Sequence, residues 1–300
     1  MATSTMMDDI KDVLEYLLTP SKPIFIAGLL IVFLVPILVH FLISRGTPYT
    51  SLPTILLAGP PSSGKTSLLT LFERGDKPAA THTSQTPHAI ELTVSTDSGA
   101  STFREAARDD APGAHTKFLL LDTPGHGKLR HHALAHLAPA KQLKPGAESA
   151  KTLRGLVYVL DAAALDETLA DAAAYLYDVL LALQRRTGSG KTSRTPNAVH
   201  VLIAANKLDL FTALPASLVR SNLEAELGRI RQSRSKGLLD SGVGIDDIGS
   251  EEQDGWLGEY GSEKFSFSQM RESDIEVEVL GGSVLEGTVD KWWDWITSRI

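Results

Sequence analysis

The sequence predicts an α/β fold: a mostly parallel six-stranded sheet with helices on both faces, preceded by one N-terminal transmembrane helix. Three observations carry this. Six apolar, strand-like runs lie at 54–58, 89–96, 116–122, 154–161, 198–205 and 275–281, most of them separated by helical patterns. Residues 59–66 read GPPSSGKT, a complete G-x-x-x-x-G-K-[ST] phosphate loop between a strand-like and a helix-like run. Residues 24–43 contain no formally charged side chain, and a helix of about twenty residues matches the ~30 Å hydrocarbon core of a bilayer.

The apolar run comes first in the chain. A cleaved signal peptide would want a basic start and a shorter run. Instead Asp8, Asp9, Asp12 and Glu15 face Lys11 and Lys22 in residues 1–23. Pro36 is tolerable in a membrane helix. The expected division is a short lumenal segment (1–22), a single-pass span (23–44), a linker (45–52) and a nucleotide-binding domain (53–300).

The first strand, TILLA (54–58), delivers the phosphate loop. Backbone N–H groups of Gly59, Pro60, Pro61, Ser62, Ser63, Gly64, Lys65, Thr66 and Ser67, proline excepted, would wrap a diphosphate at a helix N-terminus. Lys65 would reach the β- and γ-phosphates, and the Thr66 hydroxyl would bind Mg²⁺. The second and third strands have no helix between them, so an antiparallel pair is expected there. FLLLD (118–122) then runs into Asp122-Thr123-Pro124-Gly125-His126. This D-x-x-G supplies a carboxylate near Mg²⁺ and a Gly125 N–H for the γ-phosphate.

AVHVLIAA (198–205) ends in Asn206-Lys207-Leu208-Asp209. The Asp209 carboxylate is acceptor-only and matches guanine's paired N1–H and N2–H₂ donors. A site that leaves a buried polar group unpaired rejects the wrong base. The Lys207 stem would cover one face of the base, and Asn206 would tie this loop to the phosphate loop. Helical patterns fall at 168–184, 216–230 and 288–300, the last holding Trp292, Trp293 and Trp295. The polar stretches 97–115, 185–197 and 231–264 read as flexible insertions. GSGKTS at 188–193 mimics a phosphate loop but follows no strand, and reads as linker.

Composition is that of a globular domain, with 43% hydrophobic and 22% charged residues. Cysteine is absent, which excludes a disulfide framework. No basic patch suggests direct nucleic-acid binding. A net charge of −7 gives no electrostatic hold on an anionic leaflet, so attachment must come from the span.

GPPSSGKTSLL (59–69), THTS (81–84), DTPGHGKLR (122–130), NKLD (206–209) and FSFSQM (265–270), with KWW (291–293) in the last helix, resemble the Ras-like P-loop GTPases. Within them the chain is most similar to the Arf/Sar-related branch and to the β subunits of the signal recognition particle receptor, over about residues 54–300. The resemblance implies GTP and GDP with Mg²⁺ as ligands. It also implies a heterodimer with the receptor's α subunit, which binds the GTP form over the switch loops. The location implied is the endoplasmic reticulum membrane, with the GTPase domain cytosolic and the translocon or ribosome as further partners. It favours Thr83 as the switch threonine that closes over Mg²⁺, with Thr81 and Thr86 as alternatives. Ser283 and Val284, after IEVEVL (275–280), match the loop whose backbone N–H groups meet guanine O6. His126 stands where relatives carry a water-orienting glutamine. It is either the catalytic residue, once a partner docks, or an exposed switch residue on a chain that hydrolyses GTP hardly at all. An Arf/Sar-like trafficking GTPase and a binding module with GTP as a structural ligand are the competing readings.

Overall fold

The computed structural model describes residues 22–46, 52–95, 102–106, 115–138, 153–188, 199–240, 256–259, 262 and 264–300. The chain divides into two compact units, Met1–Thr50 and Ser51–Ile300.

The first unit contains helix α1 (Lys22–Gly46), with Pro36 inside it. From Gly28 to Phe41 every side chain is exposed. Val32, Phe33 and Ile37 are each about two-thirds accessible. Among the described residues no helix is long and apolar enough to cross a membrane. The side chains of α1 are described without a break only over 28–41. Residues 1–21 and 47–51, which hold most of the expected lumenal segment and linker, lie outside the described residues.

The second unit alternates strand and helix: β1 (Thr54–Ala58), α2 (Lys65–Arg74), β2 (His88–Ser95), α3 (Phe103–Ala106), β3 (His115–Asp122), α4 (His131–Leu137), β4 (Leu153–Asp161), α5 (Leu165–Gly188), β5 (Val199–Asn206), α6 (Ala216–Asp240), β6 (Ile275–Gly281) and α7 (Asp290–Thr297). The six strands form one sheet in the order β2-β3-β1-β4-β5-β6. Every pairing is parallel except β2 with β3, which is antiparallel from His88↔Asp122 to Ser95↔His115.

The central strands read as continuous apolar runs because both faces of the sheet are covered. All five residues of β1 are buried. On one face Leu56, Tyr158, Val201 and Ile203 pack with residues of α5 and α6 such as Tyr175 and Val219. On the other, Ile55, Val157 and Val159 pack with Leu68 and Phe72 of α2 and with Trp292 and Trp293 of α7. The three tryptophans are at most 6% exposed. Trp293 lies 5.1 Å from the Phe72 ring, and Trp292 Nε1 donates to Leu280 O.

The topology decides where a ligand can sit. Strand order reverses on either side of β1, so the crevice opens at the carboxyl ends of the strands. The loops after β1, β3, β4, β5 and β6 all emerge at that edge.

Helix limits differ from the sequence expectation. α6 runs ten residues beyond 230, to Asp240, into the stretch expected to be a flexible insertion. Just past 230 the helix is anchored by Arg231, which is 1% exposed. Its guanidinium donates to Leu257 O, Ser262 O and Gln269 Oε1 and lies 4.7 Å from the Trp256 ring. Likewise α5 continues to Gly188. In the first insertion Phe103 is fully buried, 5.8 Å from the Phe72 ring. The remaining parts of the three insertions, including most of GSGKTS, lie outside the described residues. α7 starts at Asp290, later than expected, because Thr288 instead pairs with Ser283 across the preceding turn.

Candidate functional site

The phosphate loop has the backbone its sequence requires. Gly59 has φ 142°, and a Cβ there would stand 2.0 Å from Val159 O. Gly64 has φ 97° and begins α2, and a Cβ there would stand 2.3 Å from Asn206 Nδ2. Ser62 takes a left-handed φ of 60°. Side chains at 59 and 64 would therefore collide with neighbours as well as strain the backbone. Lys65 arches over the loop, its Nζ donating to Pro60 O (2.8 Å) and Ser63 Oγ (3.3 Å). Burial pushes its pKa down to about 8, against the pull of Asp122 and with the push of Arg130. An ammonium held this way is unfavourably charged until an anion arrives.

The Asp122–Gly125 loop lies directly on this cradle. Thr123 Oγ1 donates to Leu57 O at 2.6 Å, tying the end of β3 to β1. A Cβ on Gly125 would be 2.6 Å from Gly59 O and 2.7 Å from Lys65 Nζ. Asp122 is fully buried, and its Oδ2 accepts from Thr66 Oγ1 at 2.6 Å. Burial raises its pKa, partly countered by the Thr66 hydrogen bond and the Lys65 charge. Its Oδ1 has no hydrogen-bond partner. A carboxylate oxygen orphaned beside a hydroxyl fits a hard divalent cation, which takes oxygen ligands.

The three switch threonines, Thr81, Thr83 and Thr86, are all exposed. Thr81 Oγ1 lies 3.1 Å from Ser67 Oγ, and Ala79 N donates to Thr70 Oγ1, so Thr81 sits against α2. His126 is exposed, with its ring over its own loop, where Nδ1 accepts from Lys128 N at 3.4 Å.

At the far end of the crevice Asn206, 3% exposed, joins three segments. Its Nδ2 donates to Ser63 O (2.8 Å), and its Oδ1 accepts from Val284 N (3.0 Å). Asp209 Oδ1 accepts from Ser283 Oγ at 2.6 Å. The backbone N–H groups of Gly282, Ser283 and Val284 are all engaged, by Ala205 O, Thr288 Oγ1 and Asn206 Oδ1. Lys207 adopts a left-handed φ of 67° and pairs through Nζ with Asp161 Oδ2.

The phosphate loop, Asp122, Gly125, Asn206, Asp209, Ser283 and Val284 thus share one edge. Thr83 and His126 are exposed. Sequence reasoning missed Asp161, Thr123 and Thr288. A strand-terminal Asp ahead of three alanines could have been read as a helix cap, but nothing local announces Lys207, 46 positions away, as its partner.

Known proteins with this arrangement are similar over most of the chain. A family model described as signal recognition particle receptor beta subunit matches residues 50–274. Signal recognition particle receptor subunit beta of Saccharomyces cerevisiae is 29% identical over 250 residues, 83% of this chain and 84% of that protein. The SRb-GTP/SRX complex from Chaetomium thermophilum superposes with a TM-score of 0.68 at 43% identity, covering 83% of this chain and all of that one. The SRb-GDP-Mg structure from the same organism has a TM-score of 0.59 at 44% identity, covering 85% of this chain and all of that one. The chain belongs to the signal recognition particle receptor beta subunit family.

Proposed function

We propose that this protein is a membrane-anchored guanine-nucleotide switch, the β subunit of the signal recognition particle receptor. It would hold the α subunit at the endoplasmic reticulum for co-translational targeting. The observation that carries the reading is the three-way join at Asn206, which locks a phosphate cradle to a base-reading carboxylate at Asp209 in a chain of this family. The solved relatives hold GTP in an SRX complex and GDP with Mg.

In this reading residues 59–67 bind the phosphates and Lys65 neutralises them. Asn206, Lys207 and Asp209 form the base end, and Ser283 and Val284 brace it rather than offering free N–H groups to guanine O6, because Ser283 N is held by Thr288 Oγ1 and Val284 N by Asn206 Oδ1. Thr66 and Asp122, with Thr83 or else Thr81 or Thr86, would hold Mg²⁺, which would supply positive charge against the phosphates. Gly125 reports the γ-phosphate to the loop carrying His126. Residues 23–44 span the membrane once, with 1–22 lumenal, 45–52 as linker and 53–300 cytosolic. The exposed apolar side chains of α1 support this, because so continuous a surface must be covered by lipid or protein.

The exposed position of His126 favours one refinement. Hydrolysis is slow until a partner seats the imidazole, and GTP alone acts as a long-lived ligand. The test is capture of the α subunit by full-length protein in detergent, loaded with GTP or with GDP. Thr66→Asn and Lys65→Ala should abolish the GTP-dependent part. Equal capture in both nucleotide states would refute the switch. Deleting residues 1–45 should release the protein from membranes. Extraction of the intact chain by carbonate would refute the span.

A further inference from the structure

Asp161 ends β4 level with Asn206 on β5. Its two carboxylate oxygens are split between two tasks. Oδ1 accepts from Ala163 N (3.0 Å) and Ala164 N (3.3 Å), which fixes the side chain ahead of α5. Oδ2 holds the Lys207 ammonium. The carboxylate is 16% exposed and the lysine side chain 34%. Asp161 therefore cannot swing away to solvent, and it anchors a side chain that could.

Lys207 also carries an uncommon backbone, left-handed at φ 67° for a residue with a long side chain. Such conformations persist where the surroundings over-determine them. Here Ala162 N donates to Asn206 O, Leu208 N to Gly282 O and Leu210 N to Lys207 O. The backbone aims the stem, and Asp161 fixes its far end. A free lysine side chain loses much rotamer freedom when it is ordered. Ordering it before the ligand arrives removes that cost from binding.

We propose that Asp161 is a positioning residue of the nucleotide site: it pre-orders Lys207 and so sets how long a guanine nucleotide stays bound. The inference rests on the nucleotide-site reading above. Because Lys207 lies at the base end, GDP and GTP are affected alike.

The test measures release of fluorescent GDP and GTP analogues from the full chain in detergent. Asp161→Asn keeps an oxygen for the Ala163 and Ala164 N–H groups but loses the charge that holds Lys207. It should speed release of both nucleotides by the same factor, about threefold to tenfold. The thermal midpoint of the nucleotide-free protein should stay unchanged. Asp161→Asn should have no further effect in a Lys207→Ala background, since the first residue acts through the second. Wild-type release rates in Asp161→Asn would overturn the proposal, as would an undiminished effect without Lys207. If Asp161→Asn does not fold, Lys207→Ala alone, which leaves the cap before α5 intact, decides: wild-type release rates overturn the proposal. A wild-type chain that holds neither nucleotide would instead refute the site reading beneath it.

Discussion

Replacing Asn206 by alanine should unfasten the crevice, and the structure sets the size of the effect. The side chain is 3% exposed, and its partners Ser63 and Val284 are buried at 0% and 3%. Alanine leaves Ser63 O without its donor at 2.8 Å and Val284 N without its acceptor at 3.0 Å. An orphaned buried backbone group costs about 1–3 kcal/mol. Two of them cost about 2–6 kcal/mol, before any cavity left by the amide. In a domain of this size each kcal/mol moves the thermal midpoint by about 2–4 °C. The nucleotide-free variant should therefore melt about 4–24 °C lower, as followed by circular dichroism or calorimetry. Asn206→Asp should do no better, because a carboxylate can still accept from Val284 N but has no donor for Ser63 O. A midpoint within about 1 °C of wild type would show that water replaces both bonds and that Asn206 does not hold the two loops together.

Gly59→Ala should lower stability and nucleotide affinity together, because its Cβ would lie 2.0 Å from Val159 O in the adjacent strand; a variant that melts and binds like wild type would show that the loop is not held against β4. Asp209→Asn should turn base preference from guanine toward xanthine nucleotides, since its oxygen can still accept from Ser283 Oγ while the amide presents a donor; unchanged preference in a competition assay would show that Asp209 does not read the base. Acid should also destabilise the chain through His136, whose pKa is lowered by burial and by the neighbouring His132. The neutral form is favoured in the fold, so stability should fall as the pH drops from about 6.5 toward the lowered value. His136→Gln should melt with a shallower decline over that range, and an identical decline would refute the assignment.

Much of the fold was legible because its signals are local. Strand limits fell within about one residue of the hydrophobic runs, and the antiparallel β2–β3 pair was expected correctly, although the connection expected to hold no helix carries the four-residue α3. Glycines at 59 and 64 announced a backbone that side chains would forbid. Helix ends were less legible. Arg231 reads as a solvent-facing charge in a polar stretch, yet it is buried against carbonyl oxygens of residues 257 and 262, which follow it by 26 and 31 positions.

By itself the sequence determined which residues could meet a phosphate, a metal and a base, because each motif is a short run with its own backbone demand. Only the tertiary structure decided how they are held. Asn206 reaches Ser63 across 143 positions and Val284 across 78, Ser283 reaches Asp209 across 74, and Asp161 takes hold of Lys207. Thr81 Oγ1 comes within 3.1 Å of Ser67 Oγ on α2. Hydrogen bonds and ion pairs act over a few ångströms, and their partners become neighbours only when the parallel sheet brings the ends of β1, β3, β4, β5 and β6 to one edge.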